Sequence, residues 1–195
     1  MPGTLPGVAD EVGVEAARRL ASLGTVRVEP GLTDHELAAA EAKFGFEFAD
    51  DHRAFLAAAL PVWAAGHDDD PDKVSWGWPN WRDLDSEVLR RQVEWPVTAA
   101  LTDIRDGHWP GGWGKRPTAA EEVNRKAERL LARAPRLVPV YAHRYLPAGR
   151  TTSGHSVLSV HHLTDIIVYG LDLPDYIDRE FREPVVTAPF WQAYV

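Results

Sequence analysis

Apolar and polar positions follow helical spacing through most of the first two thirds of this chain and strand-like spacing in the last third. Over residues 10–23, Val14, Leu20 and a set of alanines form a weak apolar stripe, and Gly24 is a natural stop. Residues 25–29 (TVRVE) alternate and predict a short strand. Thr33-Asp34-His35-Glu36 is a capping box. The Thr33 side chain can accept from the amide of residue 36, and Glu36 can reach back to the amide of Thr33. The helix it opens runs to about Lys43, with Leu37, Ala40 and Phe44 on one side, and Gly45 suits the left-handed residue that closes it. A second helix, about 51–60, carries Phe55, Leu56 and Leu60 and stops at Pro61. Trp81 to about Glu94 predicts another, after Pro79. Thr118-Ala119-Ala120-Glu121 repeats the capping-box pattern ahead of a helix with Val123, Ala127, Leu130 and Leu131 on one face.

The last third changes rhythm. LVPVYAHRYL (137–146), HSVLSVHH (155–162) and DIIVYG (165–170) are rich in β-branched and aromatic residues and predict strands. A short helix follows over 173–181, with Asp172 as N-cap and Pro174 in the tolerated first turn. Strands gathered together, with helices before and after, predict an α+β domain rather than regular βαβ alternation. The expected division is an N-terminal helical extension over 1–24, the domain over 25–183 and a C-terminal tail over 184–195.

Composition narrows the class. At 195 residues, 45% hydrophobic and 26% charged, the chain can build one sizeable core. It has no cysteine, which excludes disulfides, thiolate metal sites and a cysteine nucleophile, and fits a reducing compartment. The net charge of −8 is uneven: residues 1–97 hold nine basic and eighteen acidic residues, residues 98–195 twelve and eleven. Such a surface disfavours general nucleic-acid binding and attracts a basic partner. The N-terminus lacks a basic stretch followed by an apolar one, and no window approaches the apolar length of a spanning helix, so a cytoplasmic, membrane-free protein is expected.

Three groups of residues are candidates for chemistry. The acidic run Asp68, Asp69, Asp70 and Asp72 is either a solvated loop or an anionic segment that occupies a partner's cationic groove. It lacks the ligand spacing of a calcium loop. Seven of the eight tryptophans fall between Trp63 and Trp113. Trp81 and Trp95 are expected in the core. Among Trp76, Trp78, Trp109 and Trp113, which lie among Gly and Pro, some are expected to be partly exposed as partner anchors. The third group is Tyr141, His143, Arg144, Tyr145, His161, His162 and Asp165. As an enzyme it would use His143 or His161 as base and Arg144 as anion clamp. The structural reading, preferred here, pairs Arg144 or His161 with Asp165 and lets Thr164 or Asp165 cap a turn. Adjacent histidines on one strand point to opposite faces, which is poor geometry for a metal. No metal or other cofactor is expected, and no common catalytic or phosphate-binding motif is present.

Three stretches together resemble the bacterial SMI1/KNR4 family, or SUKH superfamily. They are the opening helix pair GLTDHELAAAEAKFGFEFADDHRAFLAAALP (31–61), the element WPNWRDL (78–84), and the closing block LVPVYAHRYLP (137–147) with GHSVLSVHHLTDIIVYGLDLPDYIDREF (154–181). The resemblance covers most of residues 29–183. Ala49 stands where the family often has proline, and 98–136 does not align. The resemblance implies one SMI1/KNR4-like domain with a twisted, mostly antiparallel sheet packed by helices, and no transferable catalytic set. Many bacterial members are immunity proteins that neutralise a toxin, often a nuclease, by binding it; fungal members are regulatory interaction proteins. The expected function is non-enzymatic protein binding, as an immunity protein acting by occlusion. The alternatives are a regulatory interaction module, or a small ligand binder or enzyme using the 141–165 polar set.

Overall fold

Local chemistry sets several helix boundaries in the computed structural model, which describes residues 8–62 and 77–182. Six helices and six strands follow one another along the described chain: α1 (Val8–Leu23), β1 (Arg27–Pro30), α2 (Asp34–Phe44), α3 (Asp50–Ala58), β2 (Ala59–Val62), α4 (Glu87–Arg105), α5 (Ala120–Leu131), β3 (Leu137–Tyr141), β4 (Arg144–Pro147), β5 (Val157–His162), β6 (Asp165–Gly170) and α6 (Leu173–Phe181). The Thr33 capping box forms in full, and α2 ends on left-handed Gly45. Asp172 caps α6 by accepting from the Asp175 amide at 2.8 Å. The second capping box does not form: α5 starts at Ala120 behind Ala119, with no side-chain cap.

The strands make two antiparallel sheets. β1 pairs with β2, from Arg27 opposite Val62 to Pro30 opposite Ala59. Pro61 therefore lies in a strand instead of stopping a helix. The second sheet is the meander β3-β4-β5-β6. The segment expected as one strand, 137–146, is a hairpin that reverses at Ala142-His143. Ala142 takes a φ of 47°, a left-handed conformation that alanine rarely adopts, and its amide donates to the Gly77 carbonyl at 3.0 Å. A tertiary contact thus sets the turn that local residues do not announce.

The main core joins both sheets to α1, α2, α3 and α6 through Leu20, Leu37, Phe48, Phe55, Leu60, Trp81, Leu146, Val157 and Ile177. The N-terminal helix expected ahead of the domain is present as α1, and it packs on this core. Ala16, Ala17 and Leu20 are buried. A side chain at Gly13 would stand 2.1 Å from the Asp51 carbonyl, so glycine lets α1 approach α3 this closely. A smaller cluster of Ile104, Val123 and Ala127 holds α5 against α4.

Helix α4 is the frame of the second sheet. It begins at Glu87 and continues past Glu94 to Arg105, straight through Pro96. The Tyr145 hydroxyl on β4 donates to the Gln92 carbonyl at 3.0 Å, and the Trp95 indole donates to the Val160 carbonyl on β5 at 3.2 Å. Further along, the Asp103 carboxylate accepts from the Leu163 amide at 2.6 Å and meets the His162 Nδ1 at 2.8 Å. One helix therefore fixes β4, β5 and the turn into β6.

Candidate functional site

The polar cluster is assembled across β4, β5, β6 and α6, and Arg144 is its centre. Its guanidinium donates to Glu180 Oε2 and to Ser159 Oγ, both at 3.1 Å, and lies 3.8 Å above the Tyr169 ring. Arg144 is buried, and these contacts compensate its charge. The expected Asp165 partner is replaced by Glu180, and the turn that Thr164 or Asp165 was to cap receives Asp103 instead.

His143 and His161 meet across the sheet with ring centroids 4.4 Å apart. Burial, reinforced by Arg144 and His161, lowers the His143 pKa to about 4, against an opposing pull from Asp165. The register of β5 against β6 breaks between Val160 and His162, so His161 is an extra residue. This bulge overturns the expectation of opposite faces: the His161 and His162 rings lie 6.2 Å apart at 28°. Among the described residues no cluster of His, Asp and Glu could hold a metal ion.

The tryptophans divide differently from expectation. Trp81 is buried among Phe44, Phe46 and Phe48, as expected. Trp95 is only half-buried. Trp78, expected as a candidate partner anchor, is 7% exposed and stacks on Phe181 at 5.1 Å beside Tyr141. It is a core residue. Trp109 and Trp113 are half-buried and meet edge to face at 5.4 Å. Lys126 lies over Trp109, whose indole donates to the Gly114 carbonyl, so the pair staples α4 to α5. Asp68, Asp69, Asp70, Asp72 and Trp76 lie outside the described residues.

Another feature is absent from the sequence-based candidates. On β6, Ile166 is 44% exposed, Ile167 53% and Val168 59%, and Leu171 just beyond it 64%. Three consecutive large apolar side chains are open on both faces of the strand. β6 is also the last strand of the meander, and among the described residues nothing pairs with its outer edge. An apolar run such as DIIVYG reads as a buried strand, and only its place at the end of the meander exposes it. Gly170 then turns the chain into α6, where an added side chain would strike Tyr176 at 2.6 Å.

An open depression of about 580 Å³ is lined by Glu41, Gly45, Phe46, Glu47, Arg136 and Gly149. Arg136 already donates to the carbonyls of Phe44 and Gly45, and Arg150 pairs with Glu41 at 2.7 Å. Arg136 is thus held by backbone carbonyls and Glu41 by Arg150, instead of converging on a ligand. No described helix is long and apolar enough to cross a membrane. Against family models, curated proteins and solved structures, the chain finds no match.

Proposed function

We propose that this chain is a non-enzymatic protein-binding module of the SMI1/KNR4 kind, a cytoplasmic immunity protein that neutralises a toxin, such as a nuclease, by covering it. The observation that carries this reading is the exposed apolar run Ile166–Val168 with Leu171. Contiguous exposed apolar surface on a folded domain marks an interaction site. The net charge of −8 and the acidic run at 68–72 favour a basic partner, because opposite charge speeds encounter. Arg144, the cation best placed to clamp an anionic substrate, is occupied by Glu180 and Ser159, which favours binding over catalysis.

The test is site-specific photo-crosslinking in native cells. A photoreactive residue replaces Val168, 59% exposed, or Val14 on α1, 49% exposed, as a comparison. A protein adduct at 168 and not at 14 is expected, and the partner so identified, purified free of the chain, should lose its toxic activity on adding one equivalent of the chain. Equal labelling at both positions, no adduct at 168, or a partner whose activity is untouched would overturn the proposal.

A further inference from the structure

The described sheets have four edge strands, and three of them carry a device against pairing with another chain. β1 holds Pro30, β2 holds Pro61 and β3 holds Pro139. Proline on an edge removes an amide and discourages a new strand. β6 has no proline and no lysine or arginine over its six residues. In an antiparallel ladder every second residue of an edge strand aims its amide and carbonyl away from its neighbour. The β6 edge therefore offers backbone bonding groups together with apolar side chains on both faces, a combination suited to strand addition.

The charges around it select the incoming strand. Asp165 stands exposed at the start of β6. The only two arginines within residues 163–182 are both paired: Arg179 with Asp175 at 2.7 Å and Arg182 with Asp178 at 2.9 Å. A second copy of this chain fits poorly. Two-fold antiparallel pairing of β6 would set Asp165 against the acidic turn after Gly170 at both ends, between bodies that each carry −8.

Resting on the protein-binding reading above, we infer that β6 takes up an extended segment of a basic partner as a fifth strand of the meander, its lysines or arginines flanking a short alternating apolar run. The backbone ladder supplies generic affinity, Ile166, Ile167 and Val168 bury the partner's side chains, and exposed Asp165, on a chain of net charge −8, orients a cationic end.

The probe is a fluorescent peptide of alternating Val and Thr flanked by lysines, titrated against the full chain by anisotropy. Two control peptides accompany it: one flanked by glutamates, and one with alternate backbone amides N-methylated. The lysine-flanked peptide should bind, with new hydrogen-exchange protection confined to β6. The N-methylated form should bind at least tenfold more weakly, because it keeps the side chains and loses the ladder. Val168→Lys should weaken binding at least tenfold, and Asp165→Lys should flatten its salt dependence without unfolding the protein, since both positions are exposed.

No binding at millimolar peptide, equal binding of the N-methylated or glutamate-flanked form, or indifference to Val168→Lys would overturn the inference. So would sedimentation as a dimer that Val168→Lys dissociates, or a crosslink from position 168 to the chain's own residues 184–195. If the peptide fails while the crosslink at 168 still captures an inhibited toxin, strand addition alone falls. If both fail, the binding reading falls with it.

Discussion

Pro96 lies in the interior of α4 and cannot return an amide proton to the carbonyl of Gln92, one turn earlier. Gln92 is buried, so water does not serve that carbonyl. The Tyr145 hydroxyl does, at 3.0 Å, from a phenol that is itself fully buried and whose pKa burial pushes far up, so it remains a donor. A helix defect and a sheet side chain are thus two halves of one bond. Tyr145→Phe keeps the ring and orphans the carbonyl. A buried polar group left without a partner costs about 1–3 kcal/mol, and the variant should lose that much unfolding free energy.

The decisive measurement is the same substitution in a Pro96→Ala background. Replacing the proline by alanine restores an amide that can donate to Gln92 within the helix, so the carbonyl no longer depends on the hydroxyl. There Tyr145→Phe should cost about 1 kcal/mol or less, the worth of an ordinary hydrogen bond. Urea unfolding of the four proteins, followed by tryptophan fluorescence, gives the coupling directly. It should be about 1 kcal/mol or more, with the tyrosine substitution cheaper in the alanine background. Equal costs in both backgrounds, within the roughly 0.5 kcal/mol of additive sites, would refute the reasoning.

Other consequences are open to the same assay. Burial holds the His52 imidazole at about 3, and neither ring nitrogen has a hydrogen-bond partner among the described residues. The unfolded chain takes the proton below about pH 6.5 while the folded one refuses it, so this group removes stability as pH falls from 6.5 toward 3. Relative to wild type, His52→Leu should gain about 2 kcal/mol between pH 6.5 and 5, at about 1.4 kcal/mol per unit; a pH-independent difference would contradict this. Thr33→Ala and Asp172→Ala should each cost about 1 kcal/mol, as lost caps do, and Thr118→Ala should stay within about 0.5 kcal/mol in parallel urea melts. Trp78→Ala should cost about 3–5 kcal/mol in stability, as core aromatics do. If it left stability intact and weakened only partner capture, the surface role would be restored.

The α+β class was legible because its signals are local. The Thr33 box, Gly45 and Asp172 act within one turn of themselves, and the three C-terminal apolar runs are separated by turn chemistry. What was not legible depends on distant partners. The hairpin at Ala142-His143 carries no glycine or asparagine and is held from Gly77. The second half of α4 hides behind Pro96, whose disruptive effect is absorbed by Tyr145. The capping pattern at Thr118 goes unused. α1 looks peripheral because its stripe is mostly alanine, yet small residues are what let it lie close on α3. Within the polar set the histidines come together, while Arg144 pairs with Glu180, Tyr145 with Gln92 and His162 with Asp103, all partners outside the 141–165 segment. The exposure of β6 is of the same kind, since it follows from sheet order and not from the six residues themselves.

That exposure also separates folding from binding. The bonds that place β6 belong to α4 and β5, through Trp95, Asp103 and the ladder from Val157 to His162. Ile166, Ile167 and Val168 are 44%, 53% and 59% exposed, so they contribute less to stability than core side chains do. Trp78 shows the opposite arrangement: its aromatic surface is consumed by Tyr141 and Phe181, and nothing is left for a partner. An edge strand held by hydrogen bonds on one side and, among the described residues, unpaired on the other keeps a low ordering cost for whatever pairs with it. Exposed Asp165 and the net charge of −8 then limit which segments do so. A neutral apolar strand would gain the ladder and no attraction, a second copy would meet repulsion, and a basic strand would gain both.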